Sequence, residues 1–197
     1  METRGENVGI FDRHSGICEE FELDGLCLKF KQLESYDEYL EVRPLVEQLS
    51  RCSIIHYREY VERMLRYPSY YPFVLCLSGS ASNVEPRNPV GDNTDANTST
   101  AECNSSLGRN MIIGYLEIYV MPHLGRSFDC RLERVVIHPS YRNRGICQRM
   151  LNSAIEFCTS VLRCNRIDLI SDNPVAVHIY KKFGFDHVMV NTYRKSV

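Results

Sequence analysis

The order of elements along this 197-residue chain predicts an α/β domain, one mixed sheet with helices on both faces. Three observations carry the prediction. Short apolar runs with strand character alternate with segments of helical period. Hydrophobic residues make up 44% of the chain and charged residues 24%, a balance that buries a core instead of leaving a disordered chain. The length suits a single domain with room for one insertion.

Residues 1–25 are polar, carry Gly9, Gly16 and Gly25, and form an N-terminal extension that is either mobile or an added strand. The domain is expected over 26–197. Its first firm element is a strand at 26–30, where apolar and polar residues alternate. Residues 36–52 place Leu40, Val42, Leu45, Val46 and Leu49 on a helical period, and Pro44 interrupts it, as if opening the regular helix at its first position. A second helix spans 56–65. Strands at 71–77 and 111–120 make a hairpin once the tract between them is set aside. That tract, 78–109, is dominated by Ser, Asn, Thr, Gly and Pro, and reads as a disordered insertion. A strand at 130–137 leads through a turn at 138–141 into a helix at 145–162. The buried stripe of that helix is Ile146, Met150, Leu151, Ala154, Ile155, Cys158 and Val161. A strand at 167–170, a helix at 174–183 and an extended segment at 185–193 complete the order.

Composition excludes several classes of function. With 23 basic and 25 acidic side chains the net charge is −2, so nothing global draws the chain to nucleic acid. The apolar run at 73–77 is too short to cross a bilayer, and the first residues lack the apolar segment of a signal peptide, which makes the cytoplasm the expected location. In that setting the sequons at Asn97 and Asn104 read as chance in a polar tract. Nine cysteines, an odd number, include no pair spaced by two residues. They read as reduced, partly buried thiols, with no structural metal expected.

The chemistry concentrates at Arg142, Asn143, Arg144, Gly145, Ile146, Cys147 and Gln148, where a strand ends and a helix begins. Unsatisfied amides at a helix start, the positive end of its dipole, a glycine that admits an anion and two flanking arginines make a seat for a pyrophosphate. An exposed turn is the alternative. The sequence is neither an ATP-binding phosphate loop nor a dinucleotide fingerprint, since the required glycines are absent. A second block strengthens the first. Asn173 caps a helix that opens on Pro174, carries Ala176, Tyr180, Lys181 and Lys182, and closes at Gly184 before Phe185. If the strands before these two helices are parallel neighbours, both helix starts lie on one edge of the sheet.

Together the two blocks resemble the GCN5-related N-acetyltransferase superfamily, and the element order agrees over about residues 26–193. The resemblance implies that fold, with two parallel strands splayed apart around acetyl-coenzyme A. Val135, Val136 and Ile137 would offer backbone groups to the pantetheine arm, residues 142–148 would hold the pyrophosphate, and Asn173, Tyr180 and Lys182 would complete the cofactor site. It further implies direct attack of a neutral amine on the thioester, with no metal. Tyr180 would be the general acid, since an ordinary phenol keeps its proton at neutral pH; packing at the edge of the core is its alternative role. Glu133 is the leading candidate base, taken to share a face with Val135 by strand alternation, and a surface salt bridge is its alternative. Asp168, Asp172, His138 and His178 rank below it.

Within the superfamily the chain looks most like glucosamine 6-phosphate N-acetyltransferases. The resemblance runs through Leu49, Ser50, Cys52, Ser53, Ile54, Ile55, Tyr57, Tyr60 and Met64, then Leu132, Glu133, Val135 and Val136, and finally Gly184, Phe185, Met189 and Tyr193. Arg134 stands where that family has Asp. The likeness implies an amino sugar phosphate as acceptor, bound by Arg126, Arg131, Glu133 and Asp172 with help from Lys182, and a homodimer. Acetylation of a protein lysine or N-terminus, or a noncatalytic acetyl-coenzyme A-binding module, are the other readings.

Overall fold

A computed structural model of the chain describes residues 17–49, 54–78, 111–189 and 195. Apart from Ser78 the inserted tract lies outside the described residues, as do Asn97, Asn104 and the end of the last extended segment, including Tyr193. Among the described residues six strands form one sheet: β1 (Cys18–Leu23), β2 (Leu26–Gln32), β3 (Tyr70–Leu77), β4 (Ile112–Met121), β5 (Asp129–Ile137) and β6 (Arg166–Leu169), side by side in that order. All neighbours are antiparallel except β5 and β6, which run parallel. Among the described residues no helix is long and apolar enough to cross a membrane.

The sheet begins ahead of residue 26, because the end of the N-terminal extension is the added strand. Asp24 and Gly25, at φ 52° and 72°, make the two-residue turn joining β1 to β2. Left-handed backbone at both positions matches the twist of paired strands, which is why Asp-Gly serves here. Helix α1 (Tyr36–Val46) starts from Ser35, whose Oγ accepts from the Glu38 amide at 3.1 Å. Pro44 lies in its last turn, not at its start. A proline that close to the end removes one backbone bond without breaking a long ladder. Helix α2 (Arg58–Leu65) follows, and residues 185–189, expected as a final strand, pair with nothing in the sheet.

Strand alternation divides the core. Phe73 and Leu75 of β3 join Phe30, Leu116 and Ile118 beneath α3 (Ile146–Glu156), where Phe30 stacks on Phe73 at 4.9 Å between ring centroids. Val74 and Cys76 face the other way, toward Val42, Leu45, Val61 and Leu65 of α1 and α2. Helices therefore cover both faces, as predicted. α3 runs on into a π-helical turn, Phe157–Val161, that drives Phe157 edge-on against Tyr71 and Phe73. Helix α4 (Pro174–Lys182) packs Tyr180 and Ile179 on the same side.

Close approach of α3 to the sheet rests on Gly114. A Cβ there would stand 2.9 Å from Ile137 Cδ1, 3.1 Å from Leu75 Cβ and 3.2 Å from Met150 Sδ. Overpacking of this kind costs about 1–3 kcal/mol. Gly114→Ala is therefore expected to lower stability by that amount in a denaturant melt, and a melt superimposable on wild type would show that the layer is loosely packed.

Candidate active site

Four residue pairs hold β5 to β6, from Asp129 with Arg166 to Leu132 with Leu169. There β6 ends while β5 continues to Ile137, so from Glu133 onward this edge of β5 has no strand partner among the described residues. The backbone of Val135, Val136 and Ile137 lies along the opened edge. Because β5 and β6 are parallel, the starts of α3 and α4 fall on the same side of the sheet. Gly145 caps α3 at φ 74°, a conformation that a side chain would strain, and it leaves the Ile146, Cys147 and Gln148 amides without a side-chain cap. At α4, Asn173 Oδ1 accepts from the Val175 amide at 3.0 Å and the Ala176 amide at 3.4 Å. Gly184, at φ 79°, closes that helix.

Tyr180 is buried, its ring 5.9 Å from that of Phe185. Burial, with the nearby Cys147 thiol adding to it, pushes the phenol up to about 12. Burial likewise raises Cys147 to about 11, which keeps it a neutral thiol in the first turn of α3. The arginines of the loop have partners. Arg142 Nε donates to Ile137 O at 2.9 Å and its Nη2 to Gln48 Oε1 at 2.7 Å, tying the loop to the end of β5 and to the residues after α1. Arg144 Nε lies 3.3 Å from Asp24, and Asn143 takes a left-handed turn at φ 62°.

The remaining predicted residues scatter. Arg126 stands at the opposite end of β5, where its two terminal nitrogens donate to Asp129 at 3.0 and 2.8 Å. Arg166 adds 2.8 Å and His123 3.0 Å to the same fully buried carboxylate. Arg126, expected as an acceptor-binding cation, thus anchors a strand end through Asp129. Arg131 Nε approaches Glu133 to 2.7 Å, the salt bridge weighed as an alternative for that acid. His138 Nδ1 accepts from the Ser140 amide, and Asp168 pairs with Arg166. Asp172, His178 and Lys182 are exposed.

The expected alternation along β5 needs a correction. The β4–β5 register slips between Tyr115 and Glu117, and Arg134 takes φ 53°, so β5 carries a bulge. Alternation is reset: Leu132 and Ile137 face the α3 side, Val136 faces α1 and α2, and Glu133 lies across from Glu117 on that second face, not with Val135.

On that face α1, α2 and the sheet enclose a cavity of about 400 Å³, lined among others by Tyr39, Arg43, His56, Tyr60, Glu117 and Arg134. Strand periodicity alone gave no reason to single out Glu117, which sits inside an apolar run of β4. It is 6% exposed. Tyr115 donates to Oε1 at 2.8 Å and Tyr119 to Oε2 at 2.9 Å, while Arg134 Nε stands 3.4 Å away. With its proton committed to Glu117, Tyr115 receives a bond from Tyr70 at 3.3 Å. Burial and the Glu117 charge push all three phenols up, so they remain donors.

Residues 82–185 match the model of the Acetyltransferase (GNAT) family, more than half of the chain, and the chain belongs to that family. It is 32% identical over 77 residues to the L-amino acid N-acetyltransferase AaaT of Escherichia coli (strain K12), covering 38% of this chain and 47% of that one. The chain thus spans about half the length of the curated relatives it matches. Among solved structures, an aminoglycoside acetyltransferase from an uncultured soil metagenome, in complex with trehalose, superposes with TM-score 0.64 at 16% identity, over 89% of this chain and 100% of that one. Glucosamine-6-phosphate N-acetyltransferase of Arabidopsis thaliana gives 0.60 at 14% identity, over 85% and 97%. At such identities these two share the fold.

The Arg126 cluster yields a stability test. Arg126 and its neighbours hold the Asp129 carboxyl below its ordinary 3.8, so its stabilisation is present above that pH and fades as pH falls through the lower folded value. Asp129→Asn should lower the melting temperature at neutral pH, with the gap to wild type narrowing in acid; a gap independent of pH would assign the loss to packing.

Proposed function

We propose that this chain transfers an acetyl group from acetyl-coenzyme A to the primary amine of a small acceptor held over Glu117. One observation carries the reading: a buried carboxylate, braced by two phenols, sits one strand away from the residue at which β5 and β6 part. In this reading the acetyl thioester lies along the opened edge of β5 and supplies the acyl group. Backbone groups of Val135, Val136 and Ile137 pair with the amide-bearing arm, and the amides of Gly145, Ile146, Cys147 and Gln148 take the diphosphate. Asn173 holds the start of α4 in place, and Lys182 adds charge from that helix. Arg142 and Arg144 contribute by exchanging their present partners for phosphate oxygens, or by fixing the loop that presents the amides.

Glu117 receives the ammonium and, directly or through a water, accepts the proton that must leave before the nitrogen can attack. Glu133, across the strand and paired to Arg131, assists from the same face. Tyr180 returns a proton to the departing thiolate. Its raised value means that it keeps this proton throughout the neutral and mildly alkaline range.

The cavity's charges narrow the acceptor. Its lining includes one carboxylate, Glu117, and two guanidinium groups, Arg43 and Arg134. A molecule with one ammonium and one anionic group meets both signs, whereas a polyamine brings further cations against the arginines. Five tyrosines around the cavity suit a hydroxylated body, and the volume suits a small molecule better than a peptide. Glucosamine 6-phosphate fits these terms, with Arg43 and Arg134 replacing Arg126 as the phosphate partners. The homodimer implied by that assignment belongs to the same proposal and is checked by sedimentation.

Thiol release measured with glucosamine 6-phosphate, glucosamine, amino acids, spermidine and peptides tests the acceptor. The amino sugar phosphate should lead, and transfer to spermidine or peptide alone would overturn the assignment. Tyr180→Phe should lower kcat by about 10²-fold or more with coenzyme A affinity retained. Glu117→Gln should lower kcat/KM by a similar factor of about 10², its deficit shrinking as rising pH deprotonates the amine. Wild-type activity should rise with pH as the amine deprotonates, without an alkaline decline below about pH 10, because Tyr180 is still protonated there. An early decline would remove Tyr180 as the acid.

A further inference from the structure

Three cysteines from three different elements meet at the closed end of the β5–β6 fork. Cys130 lies on β5, Cys158 in the π-helical turn after α3, and Cys164 in the connection entering β6. All three Sγ atoms lie within 4.8 Å of one another. We propose that Cys130, Cys158 and Cys164 form a three-sulfur site for a thiophilic closed-shell metal ion, Zn²⁺ or Cu⁺.

The triangle is the first argument. A disulfide would use two sulfurs and leave the third beside it, whereas one ion uses all three. With metal–sulfur bonds of about 2.3 Å, ligands in a trigonal site stand about 4 Å apart. Small side-chain adjustments within the observed 4.8 Å suffice to reach that spacing.

The surrounding backbone is the second argument. The widened turn at Phe157–Val161 interrupts the regular helix at Cys158, a departure often found at functional sites. The Cys164 amide donates to Cys158 O at 3.0 Å, which locks the relative position of two ligands. Cys130 and Cys158 are fully buried and Cys164 is half-buried, so the ion has an approach on one side and sulfur on the others. That open side also gives Zn²⁺ its fourth position for water, while Cu⁺ needs no fourth ligand. On binding, each thiol that ligates as thiolate gives its proton to solvent, and no oxidant or reductant is required. The bound ion would cross-link β5, the end of α3 and the start of β6 at the closed end of the fork, on the face of the sheet opposite to Glu117.

Purified full-length chain, reduced and stripped with chelator, is titrated with Zn²⁺, with Cd²⁺ as a spectroscopic probe, and with Cu⁺ under anaerobic conditions. The expected result is one equivalent bound per chain, with sulfur-to-cadmium charge transfer for three thiolates. The zinc or copper form should melt at a higher temperature than the apo form, and whichever ion gives the larger shift identifies the preferred one. Cys164→Ser should weaken binding by more than about 10-fold, while Cys27→Ser, at an exposed thiol of β2, should leave it unchanged. A second readout needs no variant: in the wild-type chain the preferred ion should protect Cys164 from alkylation while exposed Cys18 and Cys27 still react. Unchanged alkylation of Cys164, or equal binding by wild type and Cys164→Ser, would overturn the site.

Discussion

Parallel strands β5 and β6 exchange hydrogen bonds over four residue pairs and then part, and every other feature of the site is arranged around that parting. Backbone amides and carbonyls left open along β5 would cost about 1–3 kcal/mol each if buried without partners. An extended, amide-rich ligand arm removes that cost by pairing as an additional strand would. The fork needs a firm closed end to stay open in a defined way. Asp129 supplies it, a fully buried carboxylate holding Arg126, Arg166 and His123 around the first β5–β6 pair. A buried charge with three cationic or polar partners fixes geometry more surely than it adds stability, since its desolvation offsets much of the attraction.

Electrostatics on the opposite face follow a different logic. Glu117 is kept in place by neutral phenols, whose raised proton affinity makes them lasting donors, and by a single guanidinium at 3.4 Å. A carboxylate supported in this way remains able to receive another cation. Had it been paired in a bidentate fork, as Asp129 is with Arg126, an incoming ammonium would find no vacancy. The two acids illustrate one residue class used for opposite ends: Asp129 saturated and structural, Glu117 partly satisfied and facing a cavity.

Much of the fold was legible because its signals are local. Asn173, Pro174, Gly145 and Gly184 all stand at helix boundaries for stereochemical reasons that a sequence displays. The two-faced core followed from element order and periodicity, while the parallel pairing of β5 and β6 entered only as a condition and through the family resemblance. The acceptor side was less legible. Glu117 hides in a run of apolar strand residues, and only cross-strand neighbours reveal that Tyr115, Tyr119 and Arg134 converge on it. Arg126 was expected at the acceptor because nothing in the sequence shows that Asp129 gathers it together with His123 and with Arg166 of another strand. Cys130, Cys158 and Cys164 escaped notice because metal-site spacing rules assume ligand pairs close in sequence, whereas here the π-helical turn and the sheet bring them together.

The bulge at Arg134 links the two halves of the site. A bulge inserts a residue into one strand, bends that strand and increases its local twist. Here the bend begins right after the last β5–β6 pair, Leu132 with Leu169, while β5 stays paired to β4 up to Ile137 with Gly114. A strand held on one edge and turned by an extra residue must swing away from its neighbour on the other. The same insertion reverses the alternation, sending Val136 to the α1–α2 face and Val135 and Ile137 to the α3 face. One arginine in a left-handed conformation therefore opens the edge on which a cofactor arm would lie, and its own side chain reaches Glu117 in the acceptor cavity. The strain of that conformation, on the order of 1–2 kcal/mol, is borne where it shapes both binding surfaces at once.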